Sequence, residues 1–181
     1  MDGAIRAYRE ALAIDADFAA VRFDLARLLM QRESWNEAEL ELVAALDAVP
    51  TYAEATLELA TLRRLTGKQQ EAVILLVDLL QRDSYNFDGH IALGETLIEL
   101  SRPTDAATAF RRVLAFDPDH AGATFYDGVL LAGQKRYRDA IERWQRVIEL
   151  EPAGDYARRA RREMRTAEDL LTVFGNRLGG N

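Results

Sequence analysis

Two stretches of the chain, AATAFRRVLAFDPDH at residues 106–120 and AIERWQRVIELEPAG at residues 140–154, are copies of one pattern. The matched pairs are Ala106 with Ala140, Phe110 with Trp144, Val113 with Val147, and Pro118 with Pro152. The interval between the copies is about 34 residues, and self-similarity at a fixed period of roughly 20–50 residues indicates a repeat architecture. Residues at the same interval upstream are therefore expected to belong to further copies of the repeat.

The same register continues toward the N-terminus. The alanine of the pattern recurs as Ala4, Ala38, Ala72, Ala106 and Ala140. The large residue that follows it recurs as Tyr8, Leu42, Leu76, Phe110 and Trp144. A second column of small residues lies upstream of each alanine and contains Ala26, Ala60, Gly94 and Gly128. Small residues at these places let paired helices approach closely, and stacking of the pairs supplies the core.

This pattern resembles the tetratricopeptide repeat (TPR), over about residues 2–152 of this chain. The resemblance implies an all-α fold, a right-handed superhelical solenoid of antiparallel helix pairs with a C-terminal capping helix. We expect one solenoid domain over residues 1–174 and a flexible tail over residues 175–181. Its parts are a half repeat at 1–18, full repeats at 19–52, 53–86, 87–120 and 121–154, and a capping helix at 155–174.

Local sequence signals refine the helix bounds. Ser34-x-x-Glu37 and Thr51-x-x-Glu54 fit capping boxes at helix starts. Gly67 fits a helix end. The predicted helices span residues 2–14, 18–31, 35–47, 52–65, 69–82, 87–100, 103–115, 120–133, 137–150 and 155–173.

Composition excludes several classes of protein. The 181 residues contain no cysteine, which excludes disulfides, cysteine-ligated metal sites and thiol catalysis. The sequence has no apolar run of the roughly 20 residues that a membrane span needs. The net charge of −7 argues against nucleic-acid binding. Because no signal peptide is evident and Arg outnumbers Lys 21 to 2, we expect a cytoplasmic, bacterial protein.

No motif in the sequence indicates catalysis, so we expect a non-enzymatic protein without a cofactor or a metal. The two histidines, His90 and His120, occupy different columns of the repeat. The turn at residues 117–120 contains two aspartates, but the next repeat has Glu151-Pro152 in the same place. That turn is therefore interpreted as part of the repeat and not as a metal site.

Resemblance to the TPR family implies that the first helix of each pair lines a concave groove where partner proteins bind. Three columns on this helix are four and three residues apart and so share one face. They contain Phe23, Leu57, Ile91 and Phe125; Arg27, Thr61, Glu95 and Val129; and Met30, Arg64, Ile98 and Ala132. We expect an apolar ladder with Arg27 and Arg64 toward one end and Glu95 and Glu99 toward the other. In the alternative interpretation, part of this ladder packs between helices.

Such a groove suits a peptide or an amphipathic helix of another protein. One TPR subclass binds the acidic tails of chaperones through a clamp of Lys and Asn side chains. The matching positions here carry other residues, namely Phe23, Asp24, Arg27, Glu54 and Glu58. The chain is therefore not expected to belong to that subclass.

Both ends of the array differ from its middle. At the N-terminus, a helix over residues 2–14 lacks its partner, so Ile5, Tyr8 and Leu12 are expected to form an uncovered edge that favours self-association. We expect an excised piece of a longer repeat protein, with a natural half-repeat cap as the alternative. At the C-terminus, the helix places Tyr156, Ala160, Met164, Ala167, Leu171 and Phe174 on one face.

The first half of the C-terminal helix is rich in arginine. Arg158, Arg159, Arg162 and Arg165 either form a basic patch or belong to a solvated face paired with acidic residues. Asp127 stands where the family has leucine, and burial of a carboxylate is costly unless it is paired. Arg143 and Arg146 are its candidate partners.

Three functions fit these observations. The first is a non-enzymatic scaffold that holds a peptide or helix of a partner protein in the groove. The second is self-assembly into homo-oligomers through the N-terminal edge. The third is the interaction module of a larger regulator or enzyme.

Overall fold

The structure, a computed structural model, describes the backbone of residues 2–178 and the side chains of residues 2–173. Every regular element within these residues is an α-helix. The helices are α1 (Asp2–Ile14), α2 (Ala19–Gln31), α3 (Trp35–Ala48), α4 (Ala53–Leu65), α5 (Gln69–Arg82), α6 (Phe87–Glu99), α7 (Pro103–Phe116), α8 (Ala121–Gly133), α9 (Tyr137–Leu150) and α10 (Asp155–Leu178).

The first nine helices agree with the predicted bounds to within one residue at each end. The last helix continues through Leu178, past the predicted end of the capping helix. Of the predicted tail, residues 179–181 lie outside the described residues, as does the side chain of Phe174.

Neither predicted capping box forms. Ser34 precedes α3, but its side chain makes no capping hydrogen bond, and its ψ of 59° departs from the extended conformation of most N-caps. The residue that precedes α4 is Tyr52 and not Thr51. Side-chain capping occurs instead at Asn86, which accepts a hydrogen bond from the backbone N–H of Gly89, and at His120, which accepts one from Ala123.

The backbone itself repeats with the period of the sequence. The residue with positive φ between the two helices of a pair is Glu33, Gly67, Ser101 or Lys135, with φ of 59°, 81°, 58° and 62°. Each of these positions follows the previous one by one repeat. Left-handed backbone conformation is costly for residues with a Cβ and not for glycine. Only Gly67 supplies the residue type that this turn favours, which confirms it as a helix end.

Lys135→Gly is therefore expected to stabilise the protein by about 0.5–1 kcal/mol, because it relieves the left-handed strain at this turn. Gly67→Ala is expected to have the opposite effect and a similar size. Urea denaturation followed by circular dichroism measures both. A loss of stability in Lys135→Gly would contradict the assignment of strain to this position.

The chain divides into two compact units, Met1–Leu100 and Ser101–Asn181. The boundary falls inside the predicted repeat at 87–120, between α6 and α7. One continuous domain over residues 1–174 thus stays a prediction.

The core of each unit consists of the predicted columns. In the first unit, Ala38, Leu42, Ala72 and Leu76 are completely buried. In the second unit, the same columns contribute buried Ala106, Phe110, Ala140 and Trp144. Close packing of small residues against large ones, predicted from the repeat register, is confirmed at these positions, whereas Ala4, the first member of the alanine column, is exposed.

Among the described residues, Trp144 has the largest fully buried side chain, and it contacts Phe125 and Gly128 of α8 in the second unit. Its Nε1 donates a hydrogen bond to the carbonyl oxygen of Phe125 over 3.1 Å. A Cβ on Gly128 would lie 2.6 Å from Nε1 of Trp144. The small-residue column contains glycine here because the indole occupies the space that a side chain would need.

Candidate functional site

The predicted apolar ladder divides between surface and core. Phe23 and Leu57 are half-buried, while Ile91 is 6% exposed and Phe125 is 2% exposed. The prediction that Ile91 and Phe125 line an open groove is therefore wrong. Phe125 is enclosed by aromatic neighbours, with ring centroids 6.5 Å from Trp144 and 5.7 Å from Tyr156. Ile91 and Phe125 instead follow the alternative interpretation, in which part of the ladder packs between helices.

The remaining predicted groove residues lie on the first helices of their pairs. In the first unit, α4 packs against both α2 and α6, so these three helices form one layer. Its half-buried positions are Phe23, Met30, Leu57, Thr61, Arg64, Glu95 and Ile98, and Arg27 is exposed. We call this surface of the first unit the first-helix face. Val129, in the second unit, is half-buried on α8.

The charged residues of the first-helix face pair with each other between successive helices. Nε of Arg27 lies 3.7 Å from Oε1 of Glu58. Arg64 lies between two carboxylates of α6, 3.5 Å from Glu95 and 2.6 Å from Glu99. Arg27, Arg64 and the two carboxylates lie on α2, α4 and α6, in the expected order, but each arginine pairs with a carboxylate of the next first helix, so neither arginine presents an unpaired positive charge.

An aromatic pair lies at the N-terminal end of this face. The ring centroids of Phe23 and Tyr52 are 5.2 Å apart, with the planes tilted by 45°. The guanidinium of Arg27 lies 5.6 Å from the centroid of Phe23. Burial raises the pKa of Tyr52, and the carboxylates of Glu54 and Asp24 raise it further. These two carboxylates thus lie close enough to the aromatic pair to act on its hydroxyl.

A cleft of about 300 Å³ lies toward the C-terminal ends of α2 and α4, and Arg27 takes part in both this cleft and the aromatic pair. It is lined by Arg27, Met30, Gln31, Trp35, Glu58 and Leu65. Leu65 is 56% exposed, so an apolar surface faces solvent beside the Arg27–Glu58 ion pair. The cleft can therefore receive an apolar side chain and present a charge of either sign next to it.

The predicted N-terminal edge is only partly exposed. Ile5 is 4% exposed and belongs to the same buried cluster as Leu25 and Leu29. Tyr8 and Leu12 are half-buried and pack against that cluster. The prediction that Ile5 is uncovered is wrong, because α1 packs on α2 and turns this side chain inward.

The four arginines predicted as a basic patch have different environments. Arg158 pairs with Asp155 and donates a hydrogen bond to the carbonyl oxygen of Ala153, while Arg162 and Arg165 are exposed. Arg159 is half-buried, its guanidinium lies 4.5 Å from the ring centroid of Phe125, and its Nη2 donates to the hydroxyl of Tyr126. Arg159 is therefore a packing residue and not part of a surface patch.

The period could have revealed the role of Arg159. It lies one repeat length after Phe125 and so continues the same column into the capping helix. A guanidinium is attracted to the face of an aromatic ring, which explains a charged residue in an otherwise apolar column.

Asp127 pairs with Arg143, as predicted, with Nε 2.9 Å from Oδ2. Arg146 binds Asp119 instead, over 2.8 Å. These four residues line a cavity of about 550 Å³ within the second unit. Their charges balance, so the cavity attracts neither anions nor cations by net charge.

The described residues contain no group of three His, Asp or Glu side chains placed to hold a metal ion. In the same part of the chain, no helix combines the length and the apolar character needed to cross a membrane.

Arg63 of α4 joins three helices of the first unit, because it forms ion pairs with carboxylates of α3 and α5. Its Nε donates to Glu39 over 3.2 Å, and Lys68 donates to the same carboxylate over 2.8 Å. Arg63 also lies 3.5 Å from Glu71. The hydrogen bond from Lys68, helped by Arg63, lowers the pKa of Glu39 in spite of partial burial, which raises it.

A lowered pKa in the folded state means that Glu39 stabilises the protein above its unfolded pKa and loses this effect as pH falls through the folded pKa. We expect the stability difference between the native chain and Glu39→Gln to be largest near neutral pH. It should shrink steadily below about pH 4.5, the ordinary value for Glu. Urea denaturation of both proteins from pH 7 to pH 3 measures this. A difference that does not change with pH would contradict the assignment.

The arrangement of the helices defines the structural class of the protein. Helix pairs with buried small and large columns at a period of about 34 residues are the architecture of an α-helical repeat protein. Two sequence profiles, both described as tetratricopeptide repeat, match this chain, one at residues 1–55 and the other at residues 91–158. The chain belongs to the tetratricopeptide repeat family.

Solved structures with the same fold include several TPR proteins. TTC0263, a thermophilic TPR protein of Thermus thermophilus, superposes with a TM-score of 0.74 at 18% identity, over 90% of each chain. MamA superposes with a TM-score of 0.71 at 22% identity, over 83% of this chain and 88% of that one. YrrB, described as a TPR protein with an unusual peptide-binding site, superposes with a TM-score of 0.65 at 22% identity, over 87% of this chain and 81% of that one.

Two curated relatives match at 29% identity. They are the protein O-mannosyl-transferase Tmtc3 of Drosophila melanogaster, over 75% of this chain, and the probable N-acetylglucosaminyltransferase SPINDLY of Arabidopsis thaliana, over 54%. The matched stretches account for only 15% and 11% of those proteins. Their transferase names therefore establish no enzymatic activity in this chain. The TPR fold itself indicates a protein-interaction scaffold.

Proposed function

We propose that this chain binds a peptide or an amphipathic helix of a partner protein on the first-helix face of the first unit. The observation that carries the proposal is the cleft beside Met30 and Leu65, where exposed apolar surface adjoins the Arg27–Glu58 ion pair. Apolar clefts with a few polar groups at the rim are typical of sites that receive an anchor side chain.

The family and one of its structures support this proposal. YrrB shares the fold and is described as having a peptide-binding site. In this chain, Met30 and Arg27 of the predicted columns line the cleft, and Phe23 and Leu57 remain half-buried on the same layer of helices. The first-helix face is smaller than the predicted groove, because Ile91 and Phe125 are buried.

The two alternative functions have less support. Self-assembly through the N-terminal edge loses its main support, because Ile5 lies in the core. A role as the interaction module of a larger regulator or enzyme stays a prediction, and so does a cytoplasmic location.

The test compares substitutions on two surfaces. Peptides that bind the chain are first selected from a random displayed library. Met30→Ala/Leu57→Ala is then expected to weaken the best peptide at least tenfold, because anchor contacts are worth about 1–2 kcal/mol or more. The matched control is Leu40→Ala/Ile74→Ala, which removes exposed apolar side chains from the second helices α3 and α5. It should change the affinity less than twofold.

A further variant protects the test against loss of folding. Leu65→Glu places a charge in the cleft without removing a buried side chain, since Leu65 is mostly exposed. Circular dichroism and urea denaturation establish that each variant is folded. Unchanged binding by both Met30→Ala/Leu57→Ala and Leu65→Glu would contradict the proposal.

A further inference from the structure

We infer that the segment bound by the first-helix face is cationic: an apolar anchor flanked by Lys or Arg side chains. The inference rests on the proposed function and names the chemistry of the partner. It follows from the balance of charge on α2 and α4 and from the aromatic pair of Phe23 and Tyr52.

The part of the face formed by α2 and α4 carries an excess of negative charge. Asp24 follows Phe23 in α2 and Glu54 lies two residues after Tyr52, so both carboxylates belong to the region of the aromatic pair. Asp24, Glu54 and Arg27 all act on the hydroxyl of Tyr52, and Arg27 pairs with Glu58, which lines the cleft. No ion pair of Asp24 or Glu54 occurs among the described residues of the first unit. A partner therefore meets two carboxylates that Arg27 does not neutralise.

The other end of the face supplies no compensating positive charge. The arginine at that end of the face is Arg64, and its side chain lies between the carboxylates of Glu95 and Glu99. The two remaining arginines of α2 and α4 are directed to the second helices. Arg22 pairs with Glu41 over 2.6 Å, and Arg63 pairs with Glu39 and Glu71. The guanidinium groups of Arg22 and Arg63 therefore form ion pairs between helices of the protein and are not available to a partner.

The charge balance favours one kind of occupant. An acidic segment would face Asp24 and Glu54 without an arginine to receive it, and like charges across an interface discriminate strongly against a partner. A basic segment would be attracted to the same carboxylates. Its cations could also approach the tilted ring pair of Phe23 and Tyr52, because aromatic faces attract cations.

The apolar part of the occupant is set by the cleft. Met30, Trp35 and Leu65 line it, and Glu58 stands at its rim. Met30 follows Asp24 by six residues and Leu65 follows Glu54 by eleven, which corresponds to about 9 Å and about 16 Å along α2 and α4. An apolar side chain can therefore enter the cleft while a Lys or Arg two or three helical turns away reaches Asp24 or Glu54. This combination is an amphipathic segment with a basic polar side.

The experiment uses the full chain and the random peptide library. Enriched peptides are expected to carry net positive charge together with an apolar residue. Their binding is expected to weaken severalfold when salt is raised from about 50 mM to about 500 mM, since exposed charges are screened over a few ångströms at that concentration. Asp24→Asn/Glu54→Gln should weaken the best peptide about threefold to tenfold.

A matched control removes the same charge elsewhere. Glu10→Gln/Asp47→Asn neutralises two exposed carboxylates on α1 and α3 and should leave the affinity within twofold of the native value. Equal loss in both double variants would overturn the inference, because net charge alone would then explain the binding.

The outcomes separate this inference from the proposed function. If neutral or acidic peptides are enriched and their binding requires Met30 and Leu57, the inference fails and the proposed function stands. If the enriched peptides bind equally well to every first-helix variant, or if no peptide is enriched, both fail.

Discussion

Trp144→Ala is expected to lower the free energy of unfolding by about 3–5 kcal/mol, the usual range for removing a buried aromatic side chain. The indole is 1% exposed and occupies the large-residue column of its repeat. Its removal leaves a cavity between α8 and α9 and deprives the carbonyl oxygen of Phe125 of its donor. Because repeat proteins are stabilised through contacts between neighbouring elements, the damage should be largest in the second unit.

Urea denaturation followed by circular dichroism tests this expectation. Trp144→Phe is the matched comparison, because Phe110 occupies the same column one repeat earlier and is equally well buried. It should lose clearly less stability than Trp144→Ala, since most of the cavity stays filled. A loss below about 1 kcal/mol in Trp144→Ala would contradict the assignment of Trp144 to the core.

Gly128→Ala is expected to lower the free energy of unfolding by about 1–3 kcal/mol, the second largest loss after Trp144→Ala. In most helices, alanine in place of glycine is stabilising. Here the added Cβ would lie 2.6 Å from Nε1 and 2.9 Å from Cδ1 of Trp144, so the indole must move. Movement of the indole also disturbs its hydrogen bond to Phe125.

The matched control lies in the same helix. A Cβ on Gly133, the last residue of α8, would meet no described atom within 4 Å, apart from its chain neighbours and the backbone of its own helix. Gly133→Ala should therefore be neutral or stabilising by up to about 1 kcal/mol. If the two alanine variants unfold at the same urea concentration, close approach of α8 to Trp144 does not explain the glycine.

Helix positions and core columns could be predicted from the sequence because they depend on packing that repeats. Ala38, Leu42 and their equivalents recur once in every repeat and must all meet the same neighbours, so one register places them together. The capping side chains are harder to predict than the helix bounds. Thr51 matches a capping motif, yet α4 begins after Tyr52, whose ring packs against Phe23. Tertiary packing of an aromatic side chain thus overrides a local capping preference.

The candidate site could be predicted only in part. Helical spacing shows that Phe23 and Arg27 share a face, but it does not show which other element covers that face. Phe125 shares the column of Phe23 and is nevertheless covered by Arg159 and Tyr156 of α10. The ion pairs of Arg27 and Arg64 also depend on distances between helices, which a single sequence does not contain.

Nuclear magnetic resonance titration of the isotope-labelled chain with a selected peptide tests whether the partner segment binds the first-helix face of the first unit. We predict that the largest shift changes occur on α2 and α4, around Phe23, Met30 and Leu57, with little change at Leu40 and Ile74. Shift changes centred on α3 and α5 instead would contradict the proposed site.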